Sequence, residues 1–402
     1  MQIDPISTSS LSKPRLQRLH DVMEGYVARG QLPGLVTLVS RRGETHVDAI
    51  GMQAVGGREP MQRDTIFRIA SLTKPVTAVA ALILVEECKL RLDDPVDHWL
   101  PELADRQVLQ RLDGPLDETV PANRSITLRD LLTLRMGFGY ATDLSDDYPI
   151  CKAMNEQYLA IGPQPTTAPS TDAWISALGS LPLMHQPGER WLYETGSDVL
   201  GVLIARAAGL SLETFFRQRI FEPLGMKDTA FSVPPEKLDR LPPCYQANPE
   251  TGALDLFDDT NSHWSHPPAF PSGGGGLVST VDDFLAFGLM MLNQGKYRNT
   301  RILSRPSVEL MTTDQLTLEQ KAAASVFLGA NSGWGFGLSV VTRRDDVSAI
   351  PGQFGWVGGY GIAWFSDPKE EMVTILMTQL CFPQAFNLYL DYRTAAYQAI
   401  DD

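Results

Sequence analysis

Short β-rich runs lie near both ends of this chain, and helical patterning fills the stretch between them. Residues 14–29 read as a helix. Residues 35–40 and 46–50 are rich in strand formers, and Arg41-Arg42-Gly43-Glu44 between them predicts a hairpin. Residues 71–89 are dense in Ala, Leu and Val, with Pro75 where the early turns of a helix tolerate it. Thr127 and Asp130, three apart, predict a capping box at the start of another helix. Residues 198–208, 212–220 and 281–292 also read as helices, the last opened by Ser279, Thr280 and the acidic pair Asp282-Asp283. Strand signals return at 336–342, 361–365 and 372–378, with a turn at Asp367-Pro368-Lys369. The segment 386–400 is amphipathic and predicts a closing helix, while residues 1–13 are polar and predicted loose.

Sequential strands joined by short turns imply an antiparallel sheet. The predicted fold class is therefore α/β: an antiparallel sheet flanked by helices, plus a mostly helical inserted domain. Residues 1–66 and 300–402 would form the α/β part and residues 67–299 the helical part, with the active site in the cleft between them. A length of 402 residues fits two or three folding units and shows no internal repeat.

Composition narrows the partners. Apolar residues at 43% and charged residues at 20% are ordinary for a globular chain, so disorder is not indicated. A formal net charge of −14 repels phosphate backbones and anionic lipid, which excludes nucleic acid and membrane surfaces as partners. The longest apolar run, 75–85, is far shorter than a membrane span. No basic start followed by an apolar stretch opens the chain, so a cytoplasmic location is expected. The cysteines, Cys88, Cys151, Cys244 and Cys381, form no Cys-x-x-Cys pair and are expected as reduced thiols. No ligand spacing typical of zinc occurs, and neither metal nor cofactor is expected.

The chemistry has few candidates. The Gly-x-Ser-x-Gly elbow is missing. The six histidines include His185, His263 and His266, for which structural or substrate-lining roles outweigh catalysis. Ser-x-x-Lys occurs three times, as Ser10/Lys13, Ser71/Lys74 and Ser366/Lys369, so context must choose. The first lies in the polar tail and the third spans the Asp367-Pro368 turn. Ser71/Lys74 stands where a loop enters an apolar helix, and residues three apart share a helix face. A serine hydroxyl needs a neighbouring base. Burial of Lys74 would lower its pKa; if it stays charged, it would instead lower the pKa of a nearby phenol. A helix start at Ser71 also aims N–H groups where negative charge would develop.

Several ordered blocks carry a family resemblance over most of 15–380. They are Leu32-Pro33-Gly34-Leu35-Val36, Phe67-Arg68-Ile69-Ala70-Ser71-Leu72-Thr73-Lys74, Leu92-Asp93-Asp94-Pro95-Val96, and Ile126-Thr127-Leu128-Arg129-Asp130-Leu131-Leu132-Thr133. Further on come Pro187-Gly188-Glu189-Arg190-Trp191-Leu192-Tyr193, Gly274-Gly275-Gly276-Leu277-Val278-Ser279-Thr280 and Gly355-Trp356-Val357-Gly358-Gly359. Together they resemble the serine β-lactamase and penicillin-binding-protein superfamily, in its class C-like branch, and most of all the family VIII carboxylesterases.

The resemblance implies that Ser71 is the nucleophile, with Lys74 and Tyr193 as its partners. Tyr193-Glu194-Thr195 stands where such proteins have Tyr-x-Asn, whereas the literal match at Tyr297-Arg298-Asn299 lies in a polar loop. Gly359 would pair its backbone N–H with that of Ser71 as an oxyanion hole. Trp356, Gly358, Tyr360 and Thr195 would contact substrate, and Phe138, Tyr140 and Trp264 are further aromatic candidates for the pocket wall. Trp356 replaces the lysine that binds a substrate carboxylate in lactamases, which favours a neutral small-molecule ester. The implied activity is hydrolysis of short-chain carboxylic esters through an acyl-enzyme. Acyl transfer, amide hydrolysis and weak lactam hydrolysis are the alternatives on the same site.

Overall fold

The computed structural model describes residues 9–159, 169–261, 263–383 and 387–402. Residues 1–8 of the segment expected to be loose, and Phe386 at the expected start of the last helix, lie outside the described residues.

Helix α1 (Lys13–Ala28) buries Leu16, Leu19, Met23 and Tyr26, one stripe at the spacing of a helix. Strands β1 (Gly34–Arg41) and β2 (Glu44–Gly51) follow as a hairpin. Its two-residue turn has φ +48° at Arg42 and +84° at Gly43, the geometry that matches the twist of paired strands. Helix α2 (Thr73–Glu86) is buried from Thr73 through Leu84, so it is apolar all round rather than amphipathic. Helix α3 (Leu128–Leu132) carries the predicted capping box between Thr127 and Asp130. Helix α4 (Thr195–Ala208) starts three residues earlier than its sequence pattern suggests. The stretch expected as one helix at 212–220 is α-helical over Leu212–Phe216 and widens to a π-turn over Arg217–Phe221. Helix α5 (Val281–Leu292) begins with Thr280 capping the Asp283 N–H.

The remaining strands of the main sheet are β3 (Ser332–Trp334), β4 (Ser339–Val341), β5 (Phe354–Gly358), β6 (Ile362–Asp367) and β7 (Met372–Thr378), and helix α6 (Leu388–Tyr397) closes the chain. The strand expected at 336–342 is thus confined to 339–341, because Phe336 and Gly337 turn against the helical region. There Gly337 has φ +71°, and a Cβ on it would meet the Lys74 carbonyl at 2.8 Å.

The seven strands run β3-β4-β5-β6-β7-β1-β2, every neighbouring pair antiparallel. The join between β7 and β1 brings Thr378 opposite Leu35. Alternate residues of one strand serve different layers. Leu35, Val39, Met372 and Leu376 pack with α1 and α6. Val36, Leu38, Val373, Ile375 and Met377 join the larger core on the other face. Helix α5, which the sequence groups with the helical insert, lies on that second face, with Phe284 and Phe287 edge-on to Trp364. No single helix among the described residues is long and apolar enough to cross a membrane.

Candidate active site

Ser71 sits in a single 3-10 turn, Ala70–Leu72, that leads directly into α2. The turn is forced by its entry. Ala70 has φ +44°, an unfavourable value for a residue with a Cβ. Two backbone contacts fix it there: the Ile69 N–H donates to the Leu277 carbonyl (3.0 Å), and Gly358 at the end of β5 packs beneath it. A Cβ on Gly358 would meet the Ile69 carbonyl at 2.5 Å, so only glycine lets β5 approach the loop that carries Ser71.

One helical turn on, Lys74 is 1% exposed and points back at Ser71. Its Nζ donates to Ser71 Oγ (2.9 Å) and to the Gly274 carbonyl (2.8 Å), and lies 3.2 Å from Glu194 Oε1. Three acceptors match the three N–H bonds of an ammonium; a neutral amine has only two. The same Nζ stands 4.5 Å from the centre of the Tyr193 ring.

Tyr193 is held by an exchange of backbone hydrogen bonds with Tyr140 (2.7 and 2.9 Å). After it the chain makes a γ-turn: the Thr195 N–H donates to the Tyr193 carbonyl (3.2 Å), with Glu194 at φ +79°, ψ −71°. The Tyr193 phenol accepts the Trp356 indole N–H at 2.8 Å. Its ring stacks on Phe327 (4.8 Å) and tilts against Trp191 (5.5 Å), and Trp356 is braced edge-on by Trp334 (4.7 Å).

The charges act on one another. Burial opposes the charge on Lys74, but Glu194, Tyr193 and Asp198 outweigh it, and its pKa lies above the ordinary lysine value. Of the two alternatives open for Lys74, the acidic cluster at the start of the apolar helix favours the charged amine. Burial raises the Tyr193 phenol, and Glu194 adds to this; Lys74 and hydrogen bonds to Ser71 and Trp356 pull it down, with a net rise. Burial pushes the Glu194 carboxyl up to about 7 against the pull of Lys74. Asp198 is raised by burial and held by the Ser272 hydroxyl (2.6 Å) and the Gly274 N–H (3.0 Å).

Ser71, Lys74, Tyr193 and Trp356 therefore converge, and Gly358 abuts the loop before Ser71. Gly359 follows β5 directly. Two residues expected to contact substrate are buried. Tyr360 is 1% exposed because its ring packs edge-on against Trp264 (5.5 Å) and Phe257 (6.1 Å). Thr195 is buried at the start of α4. Phe138 and Trp264 are buried core, whereas Tyr140 is 47% exposed beside Tyr193. The other Ser-x-x-Lys pairs lie elsewhere: Ser10 bonds Glu44, and Ser366 donates to the Gly288 carbonyl under α5. Tyr297 belongs to a small separate hairpin.

Glu194, Asp198, Phe327 and Trp334 were not singled out by sequence. Glu194 stands inside the Tyr193 block and could have been noticed there. Phe327 lies over a hundred residues away in chain order, and nothing local marks it. Among the described residues no group of three or more His, Cys, Asp or Glu could hold a metal ion.

Comparisons with known proteins agree with this architecture. A family model described as Beta-lactamase matches residues 19–399. An uncharacterised protein of Mycobacterium tuberculosis is 41% identical over 362 residues, covering 88% of this chain and 87% of its own. Esterase EstB of Burkholderia gladioli is 30% identical over 407 residues, covering 94% of each chain. Among solved structures, EstCE1, described as a hydrolase with promiscuous acyltransferase activity, superposes with a TM-score of 0.79 at 25% identity, covering 95% of this chain and 98% of its own. With Ser71, the buried Lys74 and the Tyr193 phenol gathered at one strand end, and a family match along almost its whole length, the chain belongs to the β-lactamase family.

Proposed function

We propose that this protein is a serine hydrolase of small carboxylic esters, working through an acyl-enzyme on Ser71. The observation that carries the reading is the Lys74 ammonium, donating to Ser71 Oγ at 2.9 Å while facing the Tyr193 ring at 4.5 Å. The Lys74 cation pulls the Tyr193 phenol towards its phenolate, against the net rise that burial and Glu194 impose, and a phenolate beside a serine hydroxyl is a general base. Similarity to esterase EstB and to EstCE1 supports the ester as substrate.

The steps follow from the geometry. Tyr193, as phenolate, takes the Ser71 proton while Oγ bonds to the ester carbonyl carbon. The N–H groups of Ser71 and Gly359 receive the oxyanion, a contribution of about 3 kcal/mol for each donor. The tetrahedral intermediate then collapses, the carbon–alkoxy bond breaks, and the Tyr193 phenol returns its proton to the departing alcohol. Water repeats the sequence on the acyl-enzyme and releases the acid. Trp356 brings an indole and no positive charge to the site, which suits a neutral ester better than a carboxylate-bearing lactam.

A second outcome of the same intermediate is acyl transfer, favoured by the description of EstCE1. The test is a p-nitrophenyl ester panel, nitrocefin and an added alcohol acceptor, run on the wild type and Ser71→Ala. Hydrolysis of short acyl esters with a burst of nitrophenol is expected, falling at least about a thousandfold in Ser71→Ala. Undiminished activity in that variant would remove the mechanism.

A further inference from the structure

We propose that Glu194 is a positioning residue of the proton-transfer site: its carboxylate, as third acceptor of the Lys74 ammonium, sets the pH range in which Ser71 is activated. The inference rests on the acyl-enzyme reading above and adds to it a residue that Tyr193-mediated catalysis alone does not require.

Four observations carry it. Glu194 Oε1 is 3.2 Å from Lys74 Nζ, completing the set of three acceptors with Ser71 Oγ and the Gly274 carbonyl. Lys74 is fully buried in its side chain, so no water competes for the third N–H, and the carboxylate is the one ionisable acceptor of the three. The opposite wall is cut away for it: a Cβ on Gly274 would stand 3.0 Å from Glu194 Oε1, and one on Gly275 3.6 Å from the same atom. Finally, the backbone at Glu194 adopts φ +79°, a conformation that a side-chain-bearing residue pays for in energy, and the γ-turn so formed brings both Tyr193 and Glu194 to the same Nζ.

The titratable groups acting on Glu194 are few. Lys74 reaches it from α2, Asp198 from its own helix α4, and Tyr193 is its chain neighbour. The glycine loop 273–275 contributes backbone alone beside the Ser272 hydroxyl. The effect of the carboxylate can therefore be signed. Its negative charge raises the pKa of Lys74 and also that of the Tyr193 phenol. Removing the charge lowers both. The rising limb of activity, set by phenolate formation, and the falling limb, set by loss of the ammonium, must then move together to lower pH. Glu194 titrates at about 7, so the difference is expressed above that pH and fades below it.

The experiment is the pH dependence of kcat/KM for p-nitrophenyl butyrate, with the rate of Ser71 labelling by a fluorophosphonate measured in parallel, for wild type, Glu194→Gln, Glu194→Asn and Glu194→Asp. Glu194→Gln is expected to shift the profile to lower pH by about one unit, with KM changed less than about twofold. Glu194→Asn, also neutral, should give the same shift and serves if Gln does not fold. Glu194→Asp, which keeps the charge, should stay close to the wild-type limbs. Limbs that stay in place in the neutral variants while activity falls, or an Asp variant that shifts as far as Gln, would overturn the proposal. A wild type that is neither labelled at Ser71 nor dependent on it would overturn the hydrolase reading instead, so the two failures are told apart.

Discussion

The indole of Trp356 performs a task that its place in the sequence does not announce. It is 4% exposed, and its N–H is spent on the Tyr193 oxygen. A hydrogen-bond donor favours the phenolate, so Trp356 and Glu194 act on the same oxygen with opposite sign. Trp356→Phe keeps the apolar ring and removes the donor. We expect kcat/KM to fall about tenfold, the size of one lost hydrogen bond to a developing charge, with the rising limb moved to higher pH. A pH–rate profile checks both. At this scale much of the site was legible: Ser71, Lys74 and Tyr193 are marked by motif blocks whose order along the chain survives in the sequence. The protonation state of Lys74 was not. It depends on Glu194, Asp198 and the Gly274 carbonyl, which come from two other segments and have no periodic signature.

Elements reveal what periodicity can and cannot tell. Strand β1 is buried at all eight positions, because α1 and α6 cover one face and the larger core covers the other. Such a strand shows no polar alternation, yet its β-rich run and the Arg42-Gly43 turn made it readable. Strand β3, three residues long, and the π-turn after Phe216 were not readable, since both are settled by tertiary packing rather than by local preference. Helix α5 was foreseen as a helix but not as a partner of the sheet. Its close approach runs through Gly288, where a Cβ would lie 2.6 Å from Trp364 Nε1 and 2.9 Å from Val373 Cγ1. Gly288→Ala should therefore overpack this interface and destabilise the protein by about 1–3 kcal/mol, read as a lower denaturant midpoint, while Ser71 labelling persists in the folded fraction.

For the whole molecule, the site depends on how distant segments are tied to the loop that carries Ser71. Arg68, three residues before Ser71, is 2% exposed in its side chain and donates to Asp258 (2.6 Å), to the Pro242 carbonyl (2.7 Å) and to the Asp259 carbonyl (3.1 Å). Its guanidinium also lies 5.3 Å from the Trp264 ring. Arg68→Met would remove the buried cation that Asp258 faces, at a cost of about 3–5 kcal/mol. Equilibrium unfolding in urea, with activity followed in the same samples, checks this: stability and Ser71 reactivity should be lost together.

The antiparallel join of β7 to β1 sets the timing of all this during synthesis. Leu35 pairs with Ile50 at once but has to wait for Thr378 on its other side, so the first hairpin leaves the ribosome with one edge unpaired and keeps it while more than three hundred residues are added. The strand that braces the Ser71 loop, β5, belongs to the same late-arriving group. Most of the helical region can already have formed by then, yet Ser71 lacks the glycine edge at Gly358 until the sheet closes around it. Hydrolytic competence should thus appear late and all at once, as the last strands of a slow, long-range topology fall into register.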